Sequence, residues 1–306
     1  MKVGCGGARF DGVSLQGGRE VLLWGPSMFW NPSNPFFIEN NKNNPKREIA
    51  GKEFVRARWQ VSSDLALTAI GQLGRGPRTV GTQRMAGFKL DWTGEEASAA
   101  AIVAAEPGKT PSWQGWAQWT ANDATLVYGE VAWRVSQLYN LPAVAESATD
   151  VSIGTSRSHR GLLAVLGMSY TFENNWTLYT EYWHNGNGLD DGDARRLAQA
   201  VRTLGTRPRG VADRQLALLL EQPSPLRRNY LGVQLGGGET NDVSWKLRLT
   251  TDIDDGSVEG VVMVDKDLGD QLKLWLNLMR RAGGSATDYG RWVIDSVMIG
   301  ATWYAW

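Results

Sequence analysis

The residues able to do chemistry fall into three sets. The first is basic and acidic residues placed at alternate positions of apolar segments: Arg56 and Arg58, Lys89 with Asp91, Glu130 and Arg134, Glu181, Arg228, Lys246 with Arg248, Glu259, Lys273 and Asp295. Mixed rows of cations and anions across a wet passage set up a transverse field that sorts solutes by charge. The second is a general-base candidate, His184 with Glu181 or Asp190. No serine motif and no paired aspartates accompany it, so it points away from an enzyme. The third is Asp190, Asp191 and Asp193, which could bind Ca²⁺ but lack EF-hand spacing. They read better as a solvated acidic turn that caps a helix. No metal or cofactor is expected, and nothing resembles a phosphate loop, a dinucleotide fingerprint or a zinc site.

The elements carrying these charges read as strands. Glu53–Val61 sets Val55, Ala57, Trp59 and Val61 on one face and Arg56 and Arg58 on the other, since side chains alternate with a period of two. Around Lys246 and Arg248 stand Val243, Trp245, Leu247 and Leu249; around Lys273 stand Leu272, Leu274, Leu276 and Leu278. Further segments run from Gly18 to Trp24, Leu65 to Leu73, Thr82 to Trp92, Ala97 to Ala105, Trp113 to Thr120 and Thr125 to Val135. Leu162 to Thr171, Trp176 to His184, Asn229 to Leu235, Val258 to Val264 and Val293 to Trp306 complete the set.

This is about 14 strands, within a range of roughly 14–18, each near the length that crosses a bilayer when tilted. Connections alternate between short (62–64, 93–96, 121–123, 172–175, 237–242, 265–270) and long (25–50, 74–82, 106–112, 140–160, 185–226, 282–291), with a shorter one at 254–257. That asymmetry matches short periplasmic turns and longer external loops, and an even strand count returns both chain ends to the periplasmic side. A soluble sandwich has no reason to segregate loop lengths so regularly. Burying Lys or Arg at the bilayer midplane costs about 2–4 kcal/mol each, so the charged face is expected to look inward at water and the leucines outward at lipid.

Composition agrees. The 306 residues carry zero formal net charge, which argues against nucleic acid as a partner. Tryptophan, at 15, outnumbers both Tyr at 8 and Phe at 7, as an interfacial aromatic girdle requires. No apolar run is long enough for a membrane helix. The single cysteine, Cys5, cannot form an intramolecular disulfide. No secretory leader is visible, so the chain is expected to follow a removed signal or to lack part of a longer precursor.

The final residues, WVIDSVMIGATWYAW from Trp292 to Trp306, alternate and end in aromatics suited to a membrane–water interface. This stretch resembles the closing strand of bacterial outer-membrane β-barrels. The resemblance implies one all-β, antiparallel up-and-down transmembrane barrel over 1–306, located in the bacterial outer membrane. It also implies recognition of the C-terminal strand by the barrel-assembly machinery. The segment WGPSMFWNPSNPF, Trp24 to Phe36, is similar to an element of porin-like and polysaccharide-export barrels. Two readings stand for it: a loop folded inward, with Phe29, Trp30 and Phe36 as constriction or sugar-stacking groups, or an ordered external loop whose aromatics pack on the rim.

The long loop 185–226 carries a helical insertion: Asp193 is placed to N-cap Ala194 to Leu204, and Asp213 lies near the start of Arg214 to Glu221. Such an apolar helical hairpin should plug the interior, cap the mouth or contact a partner. The function expected is a channel for small hydrophilic solutes or oligosaccharides, with a weak anion bias because bases outnumber acids along the inner face. The alternative is a plugged barrel serving as exporter or anchoring component of an envelope complex. The lipid bilayer is the first partner; a second copy of the chain or an envelope protein is the next.

Overall fold

A computed structural model describes residues 5–10, 12–37, 51–73, 84–136, 142–144, 151–153, 159–195, 226–240, 242–284, 287–290 and 295–304. Its strands, in chain order, begin with β1 (Cys5–Phe10), β2 (Val13–Glu20), β3 (Lys52–Gln60), β4 (Leu65–Gln72), β5 (Met85–Thr93) and β6 (Ala97–Ala105). Next come β7 (Ser112–Asn122), β8 (Thr125–Ser136), β9 (Pro142–Val144), β10 (Val151–Ile153), β11 (His159–Thr171) and β12 (Thr177–Asn185). The last are β13 (Asn229–Thr240), β14 (Val243–Asp252), β15 (Val258–Leu268), β16 (Leu272–Ala282) and β17 (Ser296–Trp303). Fifteen of them follow one another up and down in sheet order as in sequence, while β9 and β10 form a separate two-stranded ladder. The all-β, antiparallel, up-and-down architecture expected from alternation is the one observed.

Two compact units make up the chain. The first is Met1–Val135 with Leu162–Ser169; the second is Ser136–Gly161 with Tyr170–Trp306. In the first, β2 pairs with β3 from Val13↔Trp59 to Glu20↔Lys52, and β3 with β4 through Ala57↔Ala69. These registers stack Val55, Trp59, Phe88, Trp113 and Trp133 on an exposed face, with Trp113 63% accessible. The opposite face buries Phe54, Ile70, Met85, Ala104 and Glu130. In the second unit, β13 to β17 expose Leu231, Leu247, Leu249, Leu274, Val297 and Ile299, while Arg248, Val261, Met263 and Asn277 are buried on the other side. Large apolar groups are thus exposed and many polar ones covered, the reverse of a soluble sheet with one face to water.

The short turns at 62–64, 93–96, 121–123 and 172–175 fall where the sequence places them, whereas β13 and β15 run on to Thr240 and Leu268, into the segments read as turns at 237–242 and 265–270. In the β11–β12 turn, Asn175 adopts φ 62° and its N–H donates to the Phe172 carbonyl at 2.9 Å. Asparagine tolerates this left-handed backbone and so allows the reversal.

Four expectations need correction. The apolar run Val21–Trp24 is not part of a strand from Gly18: β2 ends at Glu20, and Leu22 instead packs with Phe36, Phe37 and Phe54. A strand missed in the glycine-rich start, β1, pairs with β2 and brings the main sheet to fifteen strands among the described residues, within the expected range of 14–18. The helical turn at 191–195 is capped by Asp190, whose Oδ1 accepts the Asp193 N–H at 2.8 Å, and not by Asp193. The remainder of that helical insertion, from 196 to 225, lies outside the described residues. Asp295 is exposed and follows the alternation of exposed Val297 and Ile299, so it sits on the apolar face rather than the charged one.

Candidate functional site

The segment Trp24–Phe37 folds onto the polar face of the first unit, and one carboxylate holds it there. Glu130, on β8, is 1% exposed. Its Oε1 accepts the Ser27 N–H at 2.8 Å and its Oε2 the Ser33 N–H at 3.1 Å. Gly25 makes room for this: a Cβ there would stand 2.4 Å from Glu130 Oε1, and its φ of +86° suits glycine. Within the loop, Asn34 donates from Nδ2 to the Leu22 carbonyl at 2.7 Å, while its Oδ1 accepts the N–H groups of Phe36 and Phe37. Asn31 donates to the Trp24 carbonyl. A proline-rich segment has few ladder hydrogen bonds to make, and these asparagine bonds replace them.

Aromatics seal the contact. The Phe36 ring meets Trp24 at 5.4 Å and Phe54 at 5.2 Å, both edge-on. Lys52 donates from Nζ to the Phe36 carbonyl at 2.5 Å and lies over the Phe37 ring at 4.6 Å. Lys89 stands over Trp24 at 5.0 Å and Trp116 at 5.7 Å, and pairs with Asp91. The contacts of this loop lie on the polar face of β3 and β8. Phe29, Trp30 and Phe36 are only 4%, 9% and 3% exposed, so their rings serve as the loop's own packing rather than as open stacking faces.

The charged positions on the strands mostly pair with one another. Arg56 is half-buried, donates to Gln16 Oε1 at 2.7 Å and lies 3.4 Å from Glu20; Arg58 is exposed. The Arg134 side chain lies outside the described residues. In the second unit, Glu181 accepts the Trp183 indole N–H at 2.8 Å. Arg248 is buried beside Glu259 at 3.7 Å, and Glu259 also accepts Arg281 Nε at 2.7 Å. Lys273 pairs with Asp267 at 3.3 Å, and Lys246 is half-buried. Arg228 stands just before β13, exposed, with Nε donating to the Gly188 carbonyl at 3.2 Å. Sequence reasoning missed Arg281 and Lys52, although continuing the alternation of Lys273 and of Arg56 would have reached both.

At one end of the second unit the connections lock together. Tyr230 OH accepts the Arg227 N–H at 2.6 Å and donates to Asp288 Oδ2 at 2.5 Å. Arg227 also pairs with Asp191 and donates to the Asp190 carbonyl at 2.9 Å. The acidic run therefore acts as a helix cap and an ion pair. His184 Nδ1 contacts Asn229 Oδ1 at 3.0 Å rather than either carboxylate considered for a general base.

Asp254 ties the start of β13 to the β14–β15 turn. It accepts the N–H groups of Arg228 and Asn229 and the Asn229 amide at 2.7–3.0 Å. Partial burial pushes its carboxyl up, but these bonds and the Arg227 charge outweigh burial and hold it below the usual carboxylate range. A depressed folded pKa gives stability that is complete above the unfolded value of about 4 and disappears as pH falls through the folded one. The Arg228 and Asn229 amides should therefore lose hydrogen-exchange protection only below that ordinary value. Asp254→Asn should abolish this step.

No family model and no curated protein matches the sequence. Solved structures do. Pseudomonas aeruginosa OccK10 (OpdN) aligns over 98% of this chain and 82% of its own at TM-score 0.56 and 10% identity. A mutant of the Rh. blastica porin aligns over 98% and 87% at TM-score 0.51 and 9% identity. Wzi, described as a carbohydrate-binding β-barrel involved in group 1 capsule assembly in Escherichia coli, aligns over 97% and 68% at TM-score 0.53 and 8% identity. The fold is that of the bacterial outer-membrane porins.

Proposed function

We propose that this chain is an outer-membrane channel for small hydrophilic solutes or oligosaccharides, narrowed by its Trp24–Phe37 loop. One observation carries the reading: large apolar side chains are exposed on one face of the strands, while paired charges and the docked loop occupy the other. The wall charges proposed to line the path are Arg56, Arg58, Lys89, Glu130, Arg134, Glu181, Lys246, Arg248, Glu259 and Lys273. Arg228 would serve the mouth. Phe29, Trp30 and Phe36 act in the constriction by giving the loop its bulk. The weak anion bias belongs to the same reading and rests on the half-buried or exposed cations Arg56, Arg58 and Lys246.

Arg56→Glu is the sharpest test, because Arg56 is half-buried and sits within reach of Glu20. In planar bilayers under a salt gradient, the purified protein should pass steady current, and the variant's reversal potential should move toward cation selectivity. An unchanged reversal potential would remove Arg56 from the path.

A second reading has its own support in the likeness to Wzi. A plugged barrel that exports, or that anchors an envelope complex, would stay silent in the bilayer. It should then conduct once Asn187 to Leu226 is deleted.

A further inference from the structure

Asp252 ends β14 in a knot of connections and is fully buried. Its N–H donates to the Ser257 carbonyl and its own carbonyl accepts the Gly256 N–H, both at 2.9 Å, so it belongs to the β14–β15 turn rather than to the membrane span. Its Oδ1 accepts the Asp254 N–H at 2.9 Å. Its Oδ2 is buried and has no hydrogen-bond partner among the described residues. Asp255, on the same turn, lies within hydrogen-bonding reach of this carboxyl. Asp255 also accepts the Ser257 N–H at 2.9 Å and the Asp288 N–H at 2.7 Å, and the second of these bonds ties the turn to the 283–290 connection. Ser257 Oγ adds another tie by accepting the Tyr289 N–H at 3.1 Å.

Two carboxylates in contact cannot both ionise without cost, and a buried one with a bare oxygen is the one that keeps a proton. The other groups facing Asp252 favour the same outcome. Asp288 adds a third acid, whose Oδ2 accepts the Tyr230 hydroxyl. Tyr230 and Tyr289 bring hydroxyls and no positive charge. Asp254 is occupied by the Arg228 and Asn229 amides. Arg227 does face Asp252, but its guanidinium is bonded to Asp191 and to the Asp190 carbonyl. Burial first, and then the Asp255 charge, pushes the Asp252 carboxyl up to about 8.

We propose that Asp252 holds a proton and donates it to Asp255, latching the 283–290 connection to the β14–β15 turn, and that alkali releases the latch by taking this proton into solvent. A neutral Asp252 is a donor, which gives its bare oxygen a partner and leaves Asp255 free to hold the Asp288 amide. Loss of the proton sets two charges against each other, and the connection parts from the turn. Asp288 also accepts the Leu226 N–H at 3.4 Å, so the same event loosens the end of the 185–226 connection. The latch is independent of whether the chain conducts. A carboxyl raised in the latched state binds a proton that the unlatched one, with an ordinary value of about 4, gives up. Latching is therefore complete below that ordinary value and is lost as pH rises through about 8.

Amide hydrogen exchange of the full chain in detergent micelles tests this, read at Asp288 and Tyr289 and corrected for the intrinsic rate at each pH. Protection should fall by up to about tenfold per pH unit between about pH 5 and about pH 8 and level off above, as release of one proton requires. Asp252→Asn keeps a donor toward Asp255 without a titrating proton, so its protection should stay high and flat. The Arg228 and Asn229 amides, held by Asp254, should not share the slope. Infrared difference spectra give a second readout: a protonated-carboxyl band should vanish from about pH 7 to about pH 9 in the parent chain and be missing from the variant. A flat profile in the parent chain, or an unchanged slope in Asp252→Asn, would overturn the proposal. Protection raised by added Ca²⁺ in place of acid would assign these carboxylates to a cation and equally overturn it.

Discussion

Glu130→Ala should release the Trp24–Phe37 loop and raise single-channel conductance. The carboxylate accepts the Ser27 and Ser33 N–H groups, one of which is 103 residues away in sequence. Leaving two buried donors unsatisfied costs about 1–3 kcal/mol each, so roughly 2–6 kcal/mol would oppose the docked loop. Swinging into water satisfies those donors again, which favours undocking against the packing of Leu22, Phe36 and Phe37. Proteases should then cleave within 24–37, where the parent chain resists. Glu130→Gln should fall between the two, because its amide carbonyl keeps one acceptor while its NH₂ faces the other N–H. Unchanged conductance together with unchanged protease resistance would mean that the loop is not a constriction.

Phe88→Arg should be the most damaging change on the wall. Phe88 is the fourth of nine residues of β5, pairs with Ala69 and Val103, and is 57% exposed. On a soluble protein a charge at so exposed a position would be nearly neutral. In lipid, at mid-strand, it costs about 2–4 kcal/mol. Phe88→Leu keeps the apolar face and should cost about 1 kcal/mol or less, by analogy with apolar exchanges of modest size. Refolding yield into liposomes and denaturant midpoints of the three proteins measure the difference. An arginine variant as stable as the leucine one would place this face in water.

The strands were legible because their period of two survives the mixture of charges and leucines. Val55 and Trp59 against Arg56 is the plainest case, and the register of β3 with β2 and β4 keeps that alternation. Elements shaped by distant contacts were not legible. Val21–Trp24 carries good strand propensity, yet Leu22 is more stable against Phe36, Phe37 and Phe54, a tertiary contact that overrides propensity. β1 was hidden by glycines that lower strand propensity and pair only because β2 is beside them. Three aspartates stand near the helix start, and their spacing does not say which would cap it; Asp190 reaches the Asp193 N–H. The charge of Asp295 points to the inner face, whereas its parity with Val297 and Ile299 gives the apolar one. The resting place of the Trp24–Phe37 loop depended on Glu130, and no local pattern connects the two.

Tryptophan fluorescence in liposomes tests the central claim most directly. Trp59, Trp92, Trp113, Trp119 and Trp133 are all exposed on the apolar side of their strands. If that side meets hydrocarbon, brominated phospholipid should quench much of the emission while aqueous iodide has little effect. Strong iodide quenching with no response to brominated lipid would contradict the account.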